Sequence, residues 1–540
     1  MQFDPLAQRY HSQRFPLYAG RAMVNCSMPQ ASAAGLEVLL KGGNAFDAAV
    51  AAAAALTVVE PTSNGLGSDA FAIAWSARDG RLVGLNASGP APRGISIERV
   101  LADGNDEHGR MPALGWTPVT VGGAPSAWAA LNRRYGRLPL SADLAPAVAY
   151  ARDGYPCAPN LAHDWDAAFR RYRALNADGR FDAWMRCFAP GGRAPLAGDI
   201  VRLPDHADTL EAIGDSDARA YYEGGIARTI DAASRAAGGY LRYEDLAAYR
   251  PRWVEPLRVE YHGYEVCEIP PNGQGIVALM ALNTLKHLDV GDAGSPLTCH
   301  RQLEAVKLAF ADAFESVTDP DDTDVDYAAY LTDEYGERQA ARIGECAEVR
   351  TRRTPSAGGT VYLCCADGEG NMVSYIQSNY MGFGSGVVVD GTGVALQNRG
   401  ADFALDPALA NALKPGKRSY HTIIPGFLMK DGRPVGPFGV MGGYMQPQGH
   451  VQVVMNAVDF HMDPQQALDA PRWRWDRLND VAVETRFDAQ TARALGRMGH
   501  RVAVSLETGG FGRGQMIVRL DNGVLVGGTE SRTDSNIACL

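Results

Sequence analysis

The feature that most limits what this chain can become is the segment from Gly358 to Gly386, GGTVYLCCADGEGNMVSYIQSNYMGFGSG. Val361 to Ala366 is almost wholly apolar, Asp367 to Asn371 is dense in turn formers, and Met372 to Gln377 is apolar again, a pattern that predicts a hairpin. If Ala366 pairs with Met372, the same ladder continued to its open end sets Thr360 opposite Ser378, where two hydroxyls can share a hydrogen bond. Thr360 then heads a buried strand, with Gly358 and Gly359 just before it. Cleavage of the Gly359-Thr360 bond would release Thr360 as a new N-terminus. A hydroxyl alone is a poor nucleophile, and pairing a threonine with its own terminal amine is one established remedy. That amine has a reference pKa of about 8, so a useful share is neutral around neutral pH and no separate histidine is required. A Gly-Gly-Thr taken alone does no more than open a core strand; the rest of the chain supplies what distinguishes this one.

The 540 residues are 46% hydrophobic and 21% charged, ordinary for a globular protein and enough for a large core. A net charge of -11 and an isoelectric point of about 5.5 give no electrostatic support to nucleic-acid or anionic-membrane binding. Nine cysteines show no CxxC pair and no metal-like clustering, which predicts reduced, mostly buried thiols. The histidines, His421, His450 and His461 among them, show no HExxH or paired-ligand spacing, so neither a metal nor an organic cofactor is expected. The opening MQFDPLAQRYHSQRFPLYAG has no apolar h-region, and the longest apolar run, Ala48 to Val59, is too short to span a bilayer. The expectation is a soluble, cytoplasmic protein.

Along the chain, residues 31 to 59 predict two helices around a Gly42-Gly43-Asn44 break, the second so alanine-rich that it must be buried on every side. Ala70 to Trp75 predicts a core strand. Gly65 to Ala70 also fits GxGxxA, but the order is helix then strand, the reverse of a dinucleotide site. Further helical patterns lie at 124–135, 210–237, 276–288, 301–315, 448–459 and 464–470, and strands at 422–429, 481–484 and 515–520. Residues 319–357, ending Arg350-Thr351-Arg352-Arg353-Thr354-Pro355-Ser356-Ala357, predict an exposed, irregular stretch with one charged helical patch, as suits chain about to be cut.

Three segments, GGNAFDAAVAAAAALTVVEPTSNGLG at 42–67, the nucleophile segment above, and GVMGGYMQPQGH at 439–450, resemble the gamma-glutamyltranspeptidase family, in order and over nearly the whole chain. The chain is most similar to the bacterial branch that includes oxamate amidohydrolase and glutathione hydrolase-like proenzymes. The resemblance implies an N-terminal-nucleophile hydrolase: an α+β, four-layer αββα sandwich made as one inactive chain that cuts itself before Thr360. Residues 1–359 would form the large subunit and 360–540 the small one, both contributing to one composite domain. The two fragments would stay together as a heterodimer, with further dimerisation left open, and the substrate would be a small carboxylate-bearing amide. Gamma-glutamyl compounds are the family default, with oxamate-type or cephalosporin-acylase-like amides, hydrolysed or transferred, as alternatives. A binding protein that has lost self-cleavage is the alternative of another class. Ser385, in Gly384-Ser385-Gly386, lacks the GxSxG elbow of a serine hydrolase.

The resemblance assigns the oxyanion hole to Gly442 and Gly443, the supporting hydroxyl to Ser378, and the group that holds a substrate amino function to Asp402. The substrate-binding asparagine falls either on Asn379, one residue out of step, or by strict counting on Tyr380. His421-Thr422 stands where the family has a carboxylate-gripping Ser-Ser pair, Arg399 where transpeptidases have glutamine, and Ser68-Asp69 where the family has further glycines. Arg93 lies near the family's carboxylate-binding arginine but out of register. A guanidinium can hold a carboxylate through two parallel hydrogen bonds, so Arg399, with His421 or Thr422, is the expected anchor for a substrate carboxylate in a rebuilt pocket.

Overall fold

The computed structural model describes residues 14–353 and 358–540; Thr354 to Ala357 of the predicted cleavage approach lie outside them. In chain order the strands of the two large sheets are β1 (Leu17–Ala19), β2 (Ala22–Cys26), β3 (Asp69–Ser76), β4 (Arg81–Ala87), β5 (Arg252–Val254), β6 (Leu257–Tyr261), β7 (Tyr264–Glu268), β8 (Gly359–Asp367), β9 (Met372–Tyr380), β10 (Gly426–Lys430), β11 (Arg433–Met441), β12 (Arg513–Arg519), β13 (Leu525–Thr529) and β14 (Asn536–Cys539). The first sheet runs β14-β2-β8-β9-β3-β4-β5 and the second β1-β13-β12-β11-β10-β7-β6, with every neighbouring pair antiparallel.

Side-chain alternation along β8 shows how the layers are held. Val361, Leu363 and Cys365 face the core beneath α1 (Pro29–Leu40) and α2 (Ala45–Val59), while Tyr362, Cys364 and Ala366 face the core between the sheets. A strand covered on both faces is apolar at successive positions rather than alternate ones. The second sheet buries its outer face under α3 (Gly275–Leu285), α4 (Pro296–Ser316) and α5 (Met445–Val458). Helices, sheet, sheet, helices is the αββα order.

Helix α2 is buried at every residue. It starts with a capping box in which the Asn44 side chain accepts from the amides of Phe46 and Asp47 and the Asp47 side chain accepts from the Asn44 amide. Asp367, at the far end of β8, accepts from the Ala45 amide at 2.9 Å and from Glu369 and Asn371 at 3.0 Å each, so one carboxylate fixes both the hairpin turn and the start of α2. The predicted helices at 124–135, 276–288, 301–315 and 448–459 are present with small boundary shifts. The stretch 210–237 breaks into three helices, because Asp217 and Ala218 turn through positive φ and Gly224 interrupts again. Residues 422–425 fall outside the observed strand β10: Thr422 joins the site described below, and Ile423 and Ile424 pack in the core between the sheets. The stretch before the cleavage position is irregular and exposed or half-buried over residues 341–353, as expected, with a helix at Asp333–Ala340; it is tied down where Arg350 pairs with buried Glu304 at 3.3 Å and Arg353 donates to the Phe314 carbonyl.

Candidate active site

At its open end the β8-β9 hairpin departs from simple register. Val361 pairs with Gln377, but Gly359 pairs with Tyr380, so the ladder slips between Gly359 and Val361 and Thr360 sits in the irregularity. Its side chain still points between the sheets, where Thr360 Oγ1 lies 3.1 Å from Ser378 Oγ. Both hydroxyls converge on the carbonyl that precedes Thr360: Thr360 Oγ1 is 2.7 Å and Ser378 Oγ 2.6 Å from Gly359 O, and Ser378 Oγ also accepts from the Tyr380 amide at 2.8 Å. Both side chains are buried. The two glycines before Thr360 are needed sterically. A Cβ on Gly358 would stand 2.9 Å from Tyr380 O and 3.2 Å from Gly443 Cα, and one on Gly359 would stand 3.0 Å from the Gly382 amide nitrogen.

That same approach brings Gly442 and Gly443 alongside the Gly358-Gly359 backbone. Both have positive φ (135° and 60°) and form the turn between β11 and α5, so this pair of peptides sits where a helix N-terminus adds positive potential. The turn is braced from behind: Gln274 Nε2 donates to Gly443 O at 2.9 Å and Thr422 O at 2.6 Å, and Tyr420 Oη donates to Gln274 Oε1 at 3.1 Å. A cavity of about 170 Å³ opens here, lined by Gly358, Gly442, Tyr444, Arg474 and Asp476 among others.

Next to the hairpin end lies a buried charged cluster. The Arg399 guanidinium stacks 4.0 Å over the Tyr380 ring, donates through Nη1 to Thr422 Oγ1 at 2.7 Å, and stands 3.6 Å from Asp402 Oδ2. Its Nε and Nη2, the two donors on one edge, have no hydrogen-bond partner among the described residues, and neither has Asp402 Oδ2. Asp402 Oδ1 accepts from Tyr380 Oη at 2.6 Å and Tyr444 Oη at 3.5 Å. Burial pushes the Asp402 carboxyl up to about 6, against the pull of Arg399 and the two phenols.

Thr360, Ser378, Gly442, Gly443, Tyr380, Arg399, Asp402 and Thr422 are therefore brought to one end of the sandwich. Three expected residues are not part of that group. Asn379 points to the opposite face of β9, where its Oδ1 accepts from Ser68 Oγ at 2.8 Å, as strand alternation from Ser378 requires. His421 does not join Arg399: its Nε2 donates to Asp69 Oδ2 at 3.0 Å. Arg93 is exposed, and its amide donates to Asp245. In the other direction, sequence reasoning left out Gln274, Tyr420, Tyr444 and Asp69, which come from separate parts of the chain and share no spacing signal. It also missed that buried His300, Glu304 and His500 lie within ligand distance of one another. Those donors are in use, since His300 is bonded to His500 at 2.9 Å and Gly344 O at 2.9 Å, and Glu304 to Lys307 and Arg350.

The family model for gamma-glutamyltranspeptidase matches residues 31–540. The chain belongs to the gamma-glutamyltranspeptidase family. The matched span contains both hairpin strands, the Gly442-Gly443 turn and the Arg399 pocket. Among members of the family, the chain is 35% identical to a glutathione hydrolase-like proenzyme, YwrD, of Bacillus subtilis, over 93% of this chain and 95% of that one. It is 34% identical to the oxamate amidohydrolase proenzyme of Klebsiella pneumoniae, over 94% and 96%. Among solved structures, a cephalosporin acylase from Bacillus halodurans superposes with a TM-score of 0.96 at 54% identity, covering 100% of this chain and 99% of that one. The αββα sandwich is thus that of the N-terminal-nucleophile hydrolases, as the family resemblance implied.

Proposed function

We propose that this gamma-glutamyltranspeptidase family member is a self-processing amidohydrolase whose nucleophile is Thr360 and whose substrate is a small amide with a carboxylate on its acyl group. One observation carries the reading: the Thr360 and Ser378 hydroxyls, buried and 3.1 Å apart, both lie on the carbonyl of the bond to be cut. In maturation, Thr360 Oγ1 attacks the Gly359 carbonyl carbon, the bond to the Thr360 nitrogen breaks, and that nitrogen takes the proton. Water then hydrolyses the resulting ester, leaving a Gly359 carboxylate and a free Thr360 amine. The amine becomes the base for the same hydroxyl when a substrate amide takes the place of Gly359, and the Gly442-Gly443 turn supplies donors for the oxyanion.

The unpaired Nε-Nη2 edge of Arg399 matches a carboxylate, and burial makes an unfilled pair of donors costly. The oxamate amidohydrolase and cephalosporin acylase relatives agree with an acyl group outside the γ-glutamyl class. A second reading is favoured by Asp402 Oδ2, a buried acceptor 3.6 Å from Arg399 Nη1 with no hydrogen-bond partner among the described residues, which suits the ammonium of a γ-glutamyl group. Three p-nitroanilides separate these contributions: butyryl, glutaryl, which adds the carboxylate, and γ-glutamyl, which adds the amine. The carboxylate reading predicts glutaryl over butyryl by roughly tenfold or more in kcat/KM; equal turnover of the two refutes it. Arg399→Ala is expected to raise KM for the glutaryl substrate, and an unchanged KM contradicts the anchor.

A further inference from the structure

Asp69 and His421 are fully buried and bonded at 3.0 Å, although they are 352 residues apart in sequence. Asp69 opens β3 and is the ladder partner of Ser378. His421 immediately precedes Thr422, whose hydroxyl accepts from Arg399. The hydrogen-bond pattern fixes the imidazole: the Ile423 amide donates to Nδ1 at 3.4 Å, so the ring proton is on Nε2 and goes to Asp69. Burial, helped by the Arg399 charge, holds His421 well below its usual pKa, so the ring is a neutral tether rather than a base. The tether is closed on all sides. Asp69 Oδ1 accepts from the Gly89 amide at 3.0 Å, the Phe71 ring lies 4.7 Å from the imidazole, and the His421 peptide is bonded to Asn272 O and the Gln274 amide at 2.9 Å each.

We propose that Asp69 and His421 form a positioning pair for carboxylate recognition, holding Thr422 Oγ1 against Arg399 so that the open guanidinium edge keeps a fixed place relative to Ser378 and Thr360. The proposal rests on the reading of Arg399 as the carboxylate anchor. A rigid edge matters because a bidentate contact requires both donors in place together, and a tilt of the guanidinium forfeits one of them. Among the described residues the pair makes no hydrogen bond to Thr360. Its effect passes through Thr422, and a purely structural role would change stability without changing which acyl groups are preferred.

The experiment compares glutaryl- and butyryl-p-nitroanilide on the mature enzyme and on Asp69→Asn, His421→Gln, Thr422→Val, Thr422→Ser and Arg399→Ala, with melting temperature measured alongside. The glutaryl-to-butyryl ratio of kcat/KM is expected to fall roughly tenfold in Asp69→Asn, His421→Gln and Thr422→Val, through KM for the glutaryl substrate. Thr422→Ser, which keeps the hydroxyl, restores the wild-type ratio. If Arg399→Ala collapses the ratio while folded Asp69→Asn and His421→Gln stay within about twofold of wild type, the positioning pair is refuted and the anchor stands. An unchanged ratio in Arg399→Ala removes the anchor and the pair with it. Should one of the two pair variants fail to fold, the other and the Thr422 couple decide.

Discussion

Thr360 has to act on two carbonyls in turn, first its own peptide bond and later a substrate amide, and the same donors must serve both. Ser378 Oγ, 2.6 Å from Gly359 O, is placed to stabilise charge on the first of them. Ser378→Ala should therefore slow self-cleavage by roughly 10²- to 10³-fold, the usual cost of losing one such donor. Intact-mass time courses check this, and an unchanged rate would remove Ser378 from the mechanism. Asp402 gives a pH test. Its carboxyl titrates at about 6, so above that pH it is an anion beside Arg399. An anion there favours the ammonium of a γ-glutamyl substrate and disfavours a bare carboxylate. The ratio of kcat/KM for γ-glutamyl over glutaryl anilide should thus rise as pH rises through about 6, and Asp402→Asn should flatten it. Because both substrates use the same Thr360 amine, its own titration cancels in the ratio.

At the scale of the element, the hairpin was legible because its turn residues and its two apolar runs state the same structure. The slip at Thr360 was not legible, since a bulge depends on what packs at the sheet end and not on the strand's own residues. Ser378 lies beside Thr360 because alternation survives the slip, and Asn379 lies on the other face for the same reason. The stretch 422–425 looked like strand because Ile423 and Ile424 are apolar. Its first residue, Thr422, and the preceding His421 are instead held by Asp69, Arg399 and the 270–274 loop, partners that no local pattern reveals. Asp367 is the element most exposed to a single change. Asp367→Ala removes the N-terminal contact of α2 together with three turn bonds, and should cost about 2–4 kcal/mol in urea unfolding.

Across the molecule, buried carboxyls shape the pH response of stability. Burial, with the Asp47 charge adding to it, raises Asp143 to about 9. A group whose folded pKa is raised holds its proton in the fold and loses it in the unfolded chain near pH 4, so its contribution is complete below that value and is lost as pH rises through the folded pKa. Asp143→Asn should therefore raise the melting temperature at pH 8, by about 1–3 kcal/mol in stability, with a smaller gain at pH 5. Both large sheets contain strands from each side of the 359/360 bond, so the two fragments should co-elute after cleavage and part only in denaturant.

The most direct measurement of the central claim is the intact mass of purified wild-type protein beside Thr360→Ala, with N-terminal sequencing of any fragment. The account predicts two wild-type fragments, the smaller beginning Thr360-Val361-Tyr362, and a single uncut chain in the variant. A wild-type chain that stays whole after long incubation, or a variant cut at the same bond, would contradict it.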